Sequence, residues 1–189
     1  MRHAETKAQV RDRARASRRA GPPADPRDLA RQCLAFLDSL PGPARVTCYA
    51  SYGTEPDTSA IIDALKDAGF EVLLPRVEGD AIAWVPHGGP ARMSAMGIVE
   101  PLGEPVPILP VRALLVPALA ASADGARLGK GGGFYDRVIA GLPSQGRPLI
   151  AAIVRDEDVL EDGEIPMDAH DEYVDAVITP TRTLRRLSH

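Results

Sequence analysis

The strictest constraint on the fold lies in residues 45–77. "RVTCYASY" (45–52) alternates and reads as a strand. "DTSAIIDALKDAG" (57–69) reads as a helix, with Asp57 or Thr58 near its cap and Gly69 at its end. "FEVLLPRV" (70–77) reads as a second strand. Strand, helix and strand in so short a span make a βαβ unit. The two strands then run parallel and their sheet is covered by helices.

The rest of the chain fits that grammar. Residues 5–19 contain no Gly or Pro and read as a helix, broken by "GPPADP" (21–26), where proline blocks continuation. Residues 27–40 carry Leu29, Cys33, Phe36, Leu37 and Leu40 at helical spacing behind Asp25 or Asp28. "AIAWVP" (81–86), "ALLVPALA" (113–120), "PLIAAIV" (148–154) and "EYVDAVIT" (172–179) read as strands, and "FYDRVIAGL" (134–142) as a helix. Residues 87–112, with "MGIVEP" (96–101) among them, are rich in Gly and Pro and read as loop with short strands. No repeat or long linker divides the chain. The expectation is one α/β domain over residues 1–189, three layers (α/β/α) around a mostly parallel sheet.

No apolar run approaches the ~20 residues of a membrane span, and the first residues have no apolar signal core. Glu5 and Asp12 argue against a transit peptide. Cys33 and Cys48 have neither metal spacing nor a disulfide framework and suit a reducing cytosol. A cytoplasmic protein with no membrane partner is expected. The net charge of −4 is unevenly spread: residues 1–20 hold seven Lys/Arg against two acids, +5, which leaves −9 for the remainder. A basic arm on an acidic body points to an anionic partner, either nucleic acid or a small polyphosphate. The arm has no aromatic residue for stacking on bases, which argues against nucleic acid. A solvated helix face is the plain reading of most of those arginines.

"RLGKGGGFYDR" (127–137) follows one expected strand and leads into an expected helix. In open α/β sheets ligands bind beyond the carboxyl ends of strands. Successive glycine amides converge on an anion, and a helix N-terminus favours it. Arg127 and Lys130 add full charges. The segment lacks the Gly-Lys-Ser/Thr of a Walker loop and the G-x-G-x-x-G spacing of a dinucleotide fingerprint. It reads as a phosphate loop, against the alternative of a glycine-rich turn. Asp136 is then either a helix-dipole partner or a Mg²⁺ ligand.

The same segment resembles the signature of the 5-formyltetrahydrofolate cyclo-ligases, also called methenyltetrahydrofolate synthetases. Lys7 and Arg11 match that family's N-terminal Lys-x-x-x-Arg pair. "YASYGTEPDT" (49–58), "LLPRV" (73–77), "GIVEP" (97–101), "LLVPALA" (114–120) and "IPMDAHDEYVDAVIT" (165–179) follow in its order. The resemblance implies a fold like the ribose-5-phosphate isomerase and CoA-transferase group. It implies ATP-dependent closure of 5-formyltetrahydrofolate to 5,10-methenyltetrahydrofolate with Mg²⁺, yielding ADP and phosphate. The protein is expected to be a monomer. By the same resemblance Lys7, Arg11, Arg127, Leu128, Gly129, Lys130, Gly131, Gly132, Gly133, Phe134 and Tyr135 would bind ATP. Glu55, Lys130 and Phe134 would bind the reduced folate, and Asp136 and Asp171 the metal. Arg127, Lys130 and Asp136 would serve catalysis. Trp84 stands where the family often sets an aromatic against folate, with core packing the alternative, and His170 reads as a surface histidine.

One stretch departs from the family. Where Gly-Leu-Ala-Phe-Asp is usual, "ALAAS" (118–122) puts Ala118 for glycine, Ala121 for phenylalanine and Ser122 for aspartate. A larger pocket or a less ordered loop would follow. A non-catalytic folate- or nucleotide-binding homologue is therefore the alternative function.

Overall fold

The computed structural model describes residues 5–94 and 97–186; Arg2 of the basic arm and Met96 lie outside them. The first helix, α1 (Lys7–Ala20), opens on a capping box. Gln9 N donates to Thr6 Oγ1 and Thr6 N to Gln9 Oε1, so two amides with no helical partner are satisfied. It stops at Gly21, ahead of Pro22 and Pro23. The second helix, α2 (Pro26–Asp38), is capped by Asp25, which accepts from Arg27 N at 2.8 Å, and has proline in its first turn.

Along the chain follow β1 (Arg45–Thr47), α3 (Ser59–Asp67), β2 (Glu71–Glu78), β3 (Ala81–Pro86), β4 (Ala91–Met93), β5 (Val99–Pro101) and β6 (Ala113–Pro117). Then come β7 (Ala120–Ser122), β8 (Arg127–Leu128), α4 (Phe134–Ala140), β9 (Leu149–Ile153), a 3₁₀ turn (Asp156–Asp158), β10 (Val159–Leu160), β11 (Ala176–Ile178) and β12 (Thr183–Arg185). Seven strands form one sheet in the order β12-β11-β9-β6-β1-β2-β3. Its inner five run parallel, and β12 and β3 close the edges antiparallel. β10, β7 and β8 form a separate three-stranded sheet, and β4 pairs β5. No described helix is long and apolar enough to cross a membrane.

Side chains alternate across the parallel strands and fill two cores. Leu29, Cys33, Phe36 and Leu37 of α2 and Ile61, Ile62 and Leu65 of α3 pack on Val46, Val72, Leu115, Ile153 and Ile178. On the other side Ile139 of α4 packs with Leu73, Leu114, Val116, Ile150 and Val177. Full burial of each such aliphatic side chain contributes about 1.5–3 kcal/mol. Trp84 is buried in this second core, which is the packing alternative for that residue.

Three strands are shorter than the sequence pattern suggests. The segment 45–52 leaves the sheet after Thr47 because side chains near the start of α3 take over its backbone. Thr58 Oγ1 donates to Tyr49 O at 2.5 Å and accepts from Ser51 N at 3.0 Å. The segment 113–120 is divided between β6 and β7, which belong to different sheets, and 172–179 is extended strand only at Ala176–Ile178. The divergent stretch 118–122 is not a disordered loop. It contains β7, it is buried throughout, and Ser122 Oγ donates to Asp124 Oδ1 at 2.6 Å.

Candidate active site

β1 lies between β2 and β6. The chain passes from β1 through α3 to β2 on one side, and from β6 toward β9 on the other. These connections diverge above the carboxyl ends of β1 and β6, where open α/β sheets bind ligands. Two segments meet across that opening. Lys130 of the glycine stretch places Nζ 2.7 Å from Glu55 Oε1 and 3.3 Å from the centroid of the Tyr52 ring. Glu55 is nearly buried, and its other oxygen accepts from Tyr52 N at 2.9 Å.

The glycine stretch does not run directly from the main sheet. A hairpin of β7 and β8 comes first, held by Asp124, which also accepts from Ala126 N at 3.0 Å. Only then does the chain turn through residues 129–133 into α4. Gly133 caps α4 at φ 65°, a conformation that disfavours side chains. At Gly129 a Cβ would stand 3.0 Å from the Arg127 guanidinium. The glycines thus let the backbone wrap close to arginines of its own chain.

Arg127 is turned inward, with its side chain 2 % exposed. Nη2 donates to Asp136 Oδ1 at 2.7 Å, Nη1 to Pro117 O at 3.4 Å, and the buried Nε has no partner. Asp136, in the first turn of α4, also accepts from Glu172 N at 3.2 Å. Leu128 faces away from the opening: its side chain packs with Val10 and Ile165, and its carbonyl accepts from Leu119 N. Phe134 lies against Gly132 and under the Arg137 guanidinium, 4.9 Å from its ring centroid.

Helix α1 reaches the same place from the far end of the sequence. Arg11 Nε donates to Gly129 O at 3.0 Å. Lys7 Nζ pairs with Asp168 at 2.6 Å and with Asp171. Asp168, His170 and Asp171 bring one ligand atom each within 4.8 Å of one another. Asp136 is not part of that group, although its amide donor Glu172 is the next residue of the chain. Burial alone would raise the Asp171 pKa. The Lys7 ammonium, the Asp168 amide and His170 outweigh it and hold the carboxyl below its ordinary range. Lys7 is raised: burial opposes its charge, but Asp168 and Asp171 favour it more.

The floor of the opening is neutral. Burial, and then the charge of Glu55, push the Tyr49 phenol well up, and burial pushes Cys48 up to about 12. Tyr135 is raised by burial first, then by Cys48 and Glu55. Tyr49 has a buried hydroxyl with no partner. These groups remain protonated at neutral pH, beneath a rim on which each of Lys7, Lys130 and Arg127 already touches a carboxylate.

The site therefore unites Lys7, Arg11, Glu55, Arg127, Lys130, Asp136 and Asp171 across the whole chain. Sequence reasoning missed Tyr52, the aromatic seat of Lys130, and Asp168, the second partner of Lys7. The spacing of Asp168 and Asp171 on one turn is the signal that could have found the latter.

Comparisons with known proteins bear out the family resemblance of the sequence. A family model described as "5-formyltetrahydrofolate cyclo-ligase family" matches residues 3–180. The chain is 35 % identical to the 5-formyltetrahydrofolate cyclo-ligase of Mycolicibacterium smegmatis, over 94 % of this chain and 95 % of that one. The fold is similar to the solved 5,10-methenyltetrahydrofolate synthetase of Aquifex aeolicus, with TM-score 0.76 and 27 % identity over 97 % of this chain and 94 % of that one. It is also similar in fold to the Mycoplasma pneumoniae synthetase, with TM-score 0.73 and 19 % identity over 92 % and 98 % of the two chains.

Proposed function

The chain belongs to the 5-formyltetrahydrofolate cyclo-ligase family; its reaction is the ATP-dependent closure of 5-formyltetrahydrofolate to 5,10-methenyltetrahydrofolate, with ADP and phosphate released, and we propose which residues carry it. Phosphoryl transfer asks a protein mainly for positioning and charge neutralisation. ATP supplies the phosphoryl group that converts the formyl oxygen into a leaving group. N10 then attacks the activated carbon, N10 gives up its proton, and phosphate departs with that oxygen.

Lys7, Arg11 and the backbone of residues 128–133 hold the nucleotide phosphates in this reading. Among the described residues the amides of Gly131, Gly132 and Gly133 donate to no protein group, which suits an anion. Arg127 fixes Asp136 and adds its positive charge beside the phosphates. Phe134 and Tyr135 pack against the bound rings. Glu55 accepts from N–H donors of the reduced folate, and Lys130 exchanges Glu55 for the substrate's oxygen atoms as it binds.

Mg²⁺ fits the carboxylate donors here, since hard cations take oxygen ligands together with phosphate. Asp171 and Asp136 would hold it, with Asp168 beside them: Asp136 meets Arg127 through Oδ1 and would use its other oxygen, and Asp171 would release Lys7. The observation that carries the site assignment is the contact of Arg11 with Gly129 and of Lys7 with Asp171, far apart in sequence and joined at one opening. The fold fits a three-layer α/β/α plan resembling the ribose-5-phosphate isomerase and CoA-transferase group, supported by helices packed on both sheet faces.

The test mixes purified protein with 5-formyltetrahydrofolate, ATP and Mg²⁺ and follows the near-ultraviolet absorbance of methenyltetrahydrofolate. The expected result is a rise that disappears when either ATP or Mg²⁺ is left out. A folded protein that binds ATP without any rise would instead be a non-catalytic homologue.

A further inference from the structure

Helix α1 carries the nucleotide-side cations, yet its middle is thinly seated. Val10 and Ala14 are its buried apolar residues, and Val10 packs on the three-stranded sheet. Beside them lies a cavity of about 250 Å³ whose lining includes Val10, Ala14, Ser17, Ala120, Asp158 and Leu160. Small side chains in contact over such a gap do not fix the rotation or slide of a helix.

The far end of α1 is held differently. Arg18, with its side chain fully buried, donates through Nε to Asp158 Oδ2 at 2.9 Å. Its Nη2 donates to the carbonyls of Ala118 at 2.7 Å and Leu119 at 3.0 Å. Arg155 grips the same carboxylate from the other side, Nε to Oδ2 at 3.0 Å and Nη2 to Oδ1 at 2.9 Å. Arg155 Nη2 also donates to Ser17 Oγ at 3.2 Å, which ties it back to α1. Asp158 thus joins the helix to the 3₁₀ turn, while Arg18 itself ties the helix to the chain just past β6.

We propose that the buried Arg18–Asp158–Arg155 triad is the positioning device that aims Lys7 and Arg11 at the nucleotide; it rests on the reading of those two residues as nucleotide ligands. Buried ion pairs are poor sources of net stability but are directional, since a guanidinium meets a carboxylate in few orientations. Lys7 and Arg18 are separated by about 16 Å of helix, so a tilt of ~10° at the anchor moves Lys7 by about 3 Å. That displacement exceeds the tolerance of a hydrogen bond. Lys7, Arg11, Ala14 and Arg18 recur at helical spacing, so one helix face holds both the anchor and the site.

The test is steady-state kinetics with each substrate varied in turn. Asp158→Asn is expected to raise the KM for ATP about tenfold or more while the KM for 5-formyltetrahydrofolate stays within about twofold. In a Lys7→Ala/Arg11→Ala background the same substitution is expected to change the ATP KM less than about twofold, because it acts through those residues. Arg155→Gln, which leaves the Arg18–Asp158 pair in place, serves if Asp158→Asn does not fold, and the same split is expected. Trypsin should then cut at Arg11, Arg13 or Arg15 of the folded variant before it cuts the core. Equal rises in both KM values, or an ATP effect that persists without Lys7 and Arg11, would overturn the triad's positioning role and leave the nucleotide assignment standing. An unchanged ATP KM in Lys7→Ala/Arg11→Ala itself would overturn the nucleotide assignment, and the triad's role with it.

Discussion

Two buried arginines reach the carbonyls at the end of β6, and each takes an aspartate with it. Arg127 meets Pro117 O and Asp136; Arg18 meets Ala118 O, Leu119 O and Asp158. Both guanidinium groups are out of solvent. The difference lies in the carboxylates: Asp136 keeps 16 % of its side-chain surface exposed at the opening, whereas Asp158 keeps 1 %. In the reading proposed above, the same ion pair would serve chemistry where its anion can be reached, and architecture where it is sealed.

The strongest way to break that contrast is at the exposed member. Arg127→Ala and Asp136→Asn are expected to lower turnover by on the order of 10³-fold or more, the scale seen when a charge-neutralising group is taken from phosphoryl transfer. Circular dichroism of both variants should remain native. Near-wild-type rates from either would mean that the pair is structural like its neighbour.

Stability should rank the pairs the other way. Asp158→Ala leaves two arginines buried without their anion and is expected to cost about 3–5 kcal/mol. Asp136→Asn retains a hydrogen-bond acceptor beside water and should cost about 1 kcal/mol. Urea melts of the two variants compare them directly. Equal losses would remove the distinction drawn from exposure.

The contrast also marks what could be read from sequence. Six of the seven strands of the main sheet were legible, from apolar or alternating runs, and α2 and α3 from helical stripes; the edge strand β12, three residues of "TLR", was not read. The three-stranded sheet was not: β8 and β10 have two residues each, too few to show a period. That small sheet is what turns Arg127 inward and seats α1. Glu55, Lys130 and Asp136 were legible through the family signature, and the structure brings them to one opening. Arg18 was lost among the arginines of the basic arm. Its spacing of four and eight from Ala14 and Val10 set it on the buried stripe, but a charge is not counted in an apolar pattern.

A smaller effect is expected at the rim, where Lys130 bridges Glu55 and Tyr52. Glu55→Gln should weaken 5-formyltetrahydrofolate binding by roughly 10–100-fold, the range for losing a hydrogen bond to a charged group. Lys130→Met should lose less stability, about 0.5–1 kcal/mol from the exposed cation–π contact. Titration of each variant with 5-formyltetrahydrofolate in the absence of ATP separates the roles. If Lys130→Met weakened folate binding more than Glu55→Gln, the carboxylate would not be the recognising group.

The smallest effect on stability concerns Lys7 and Asp171, a pair more exposed than Arg18 and Asp158. The Asp171 carboxyl is held below its ordinary value of about 3.9, so its contribution is present above that pH and is lost as pH falls through the lowered folded value. The Lys7 ammonium is raised above its ordinary value of about 10.4, so its contribution is present below that pH and is lost as pH rises through the raised folded value. Between those limits the pair contributes a constant amount, on the order of 1 kcal/mol at most for ions that water still reaches. The urea midpoints of wild type and Lys7→Met should therefore differ by the same small amount from about pH 5 to pH 9 and converge as the pH drops below about 4. A gap that widened on acidification would mean that Lys7 stabilises the fold by something other than its carboxylates.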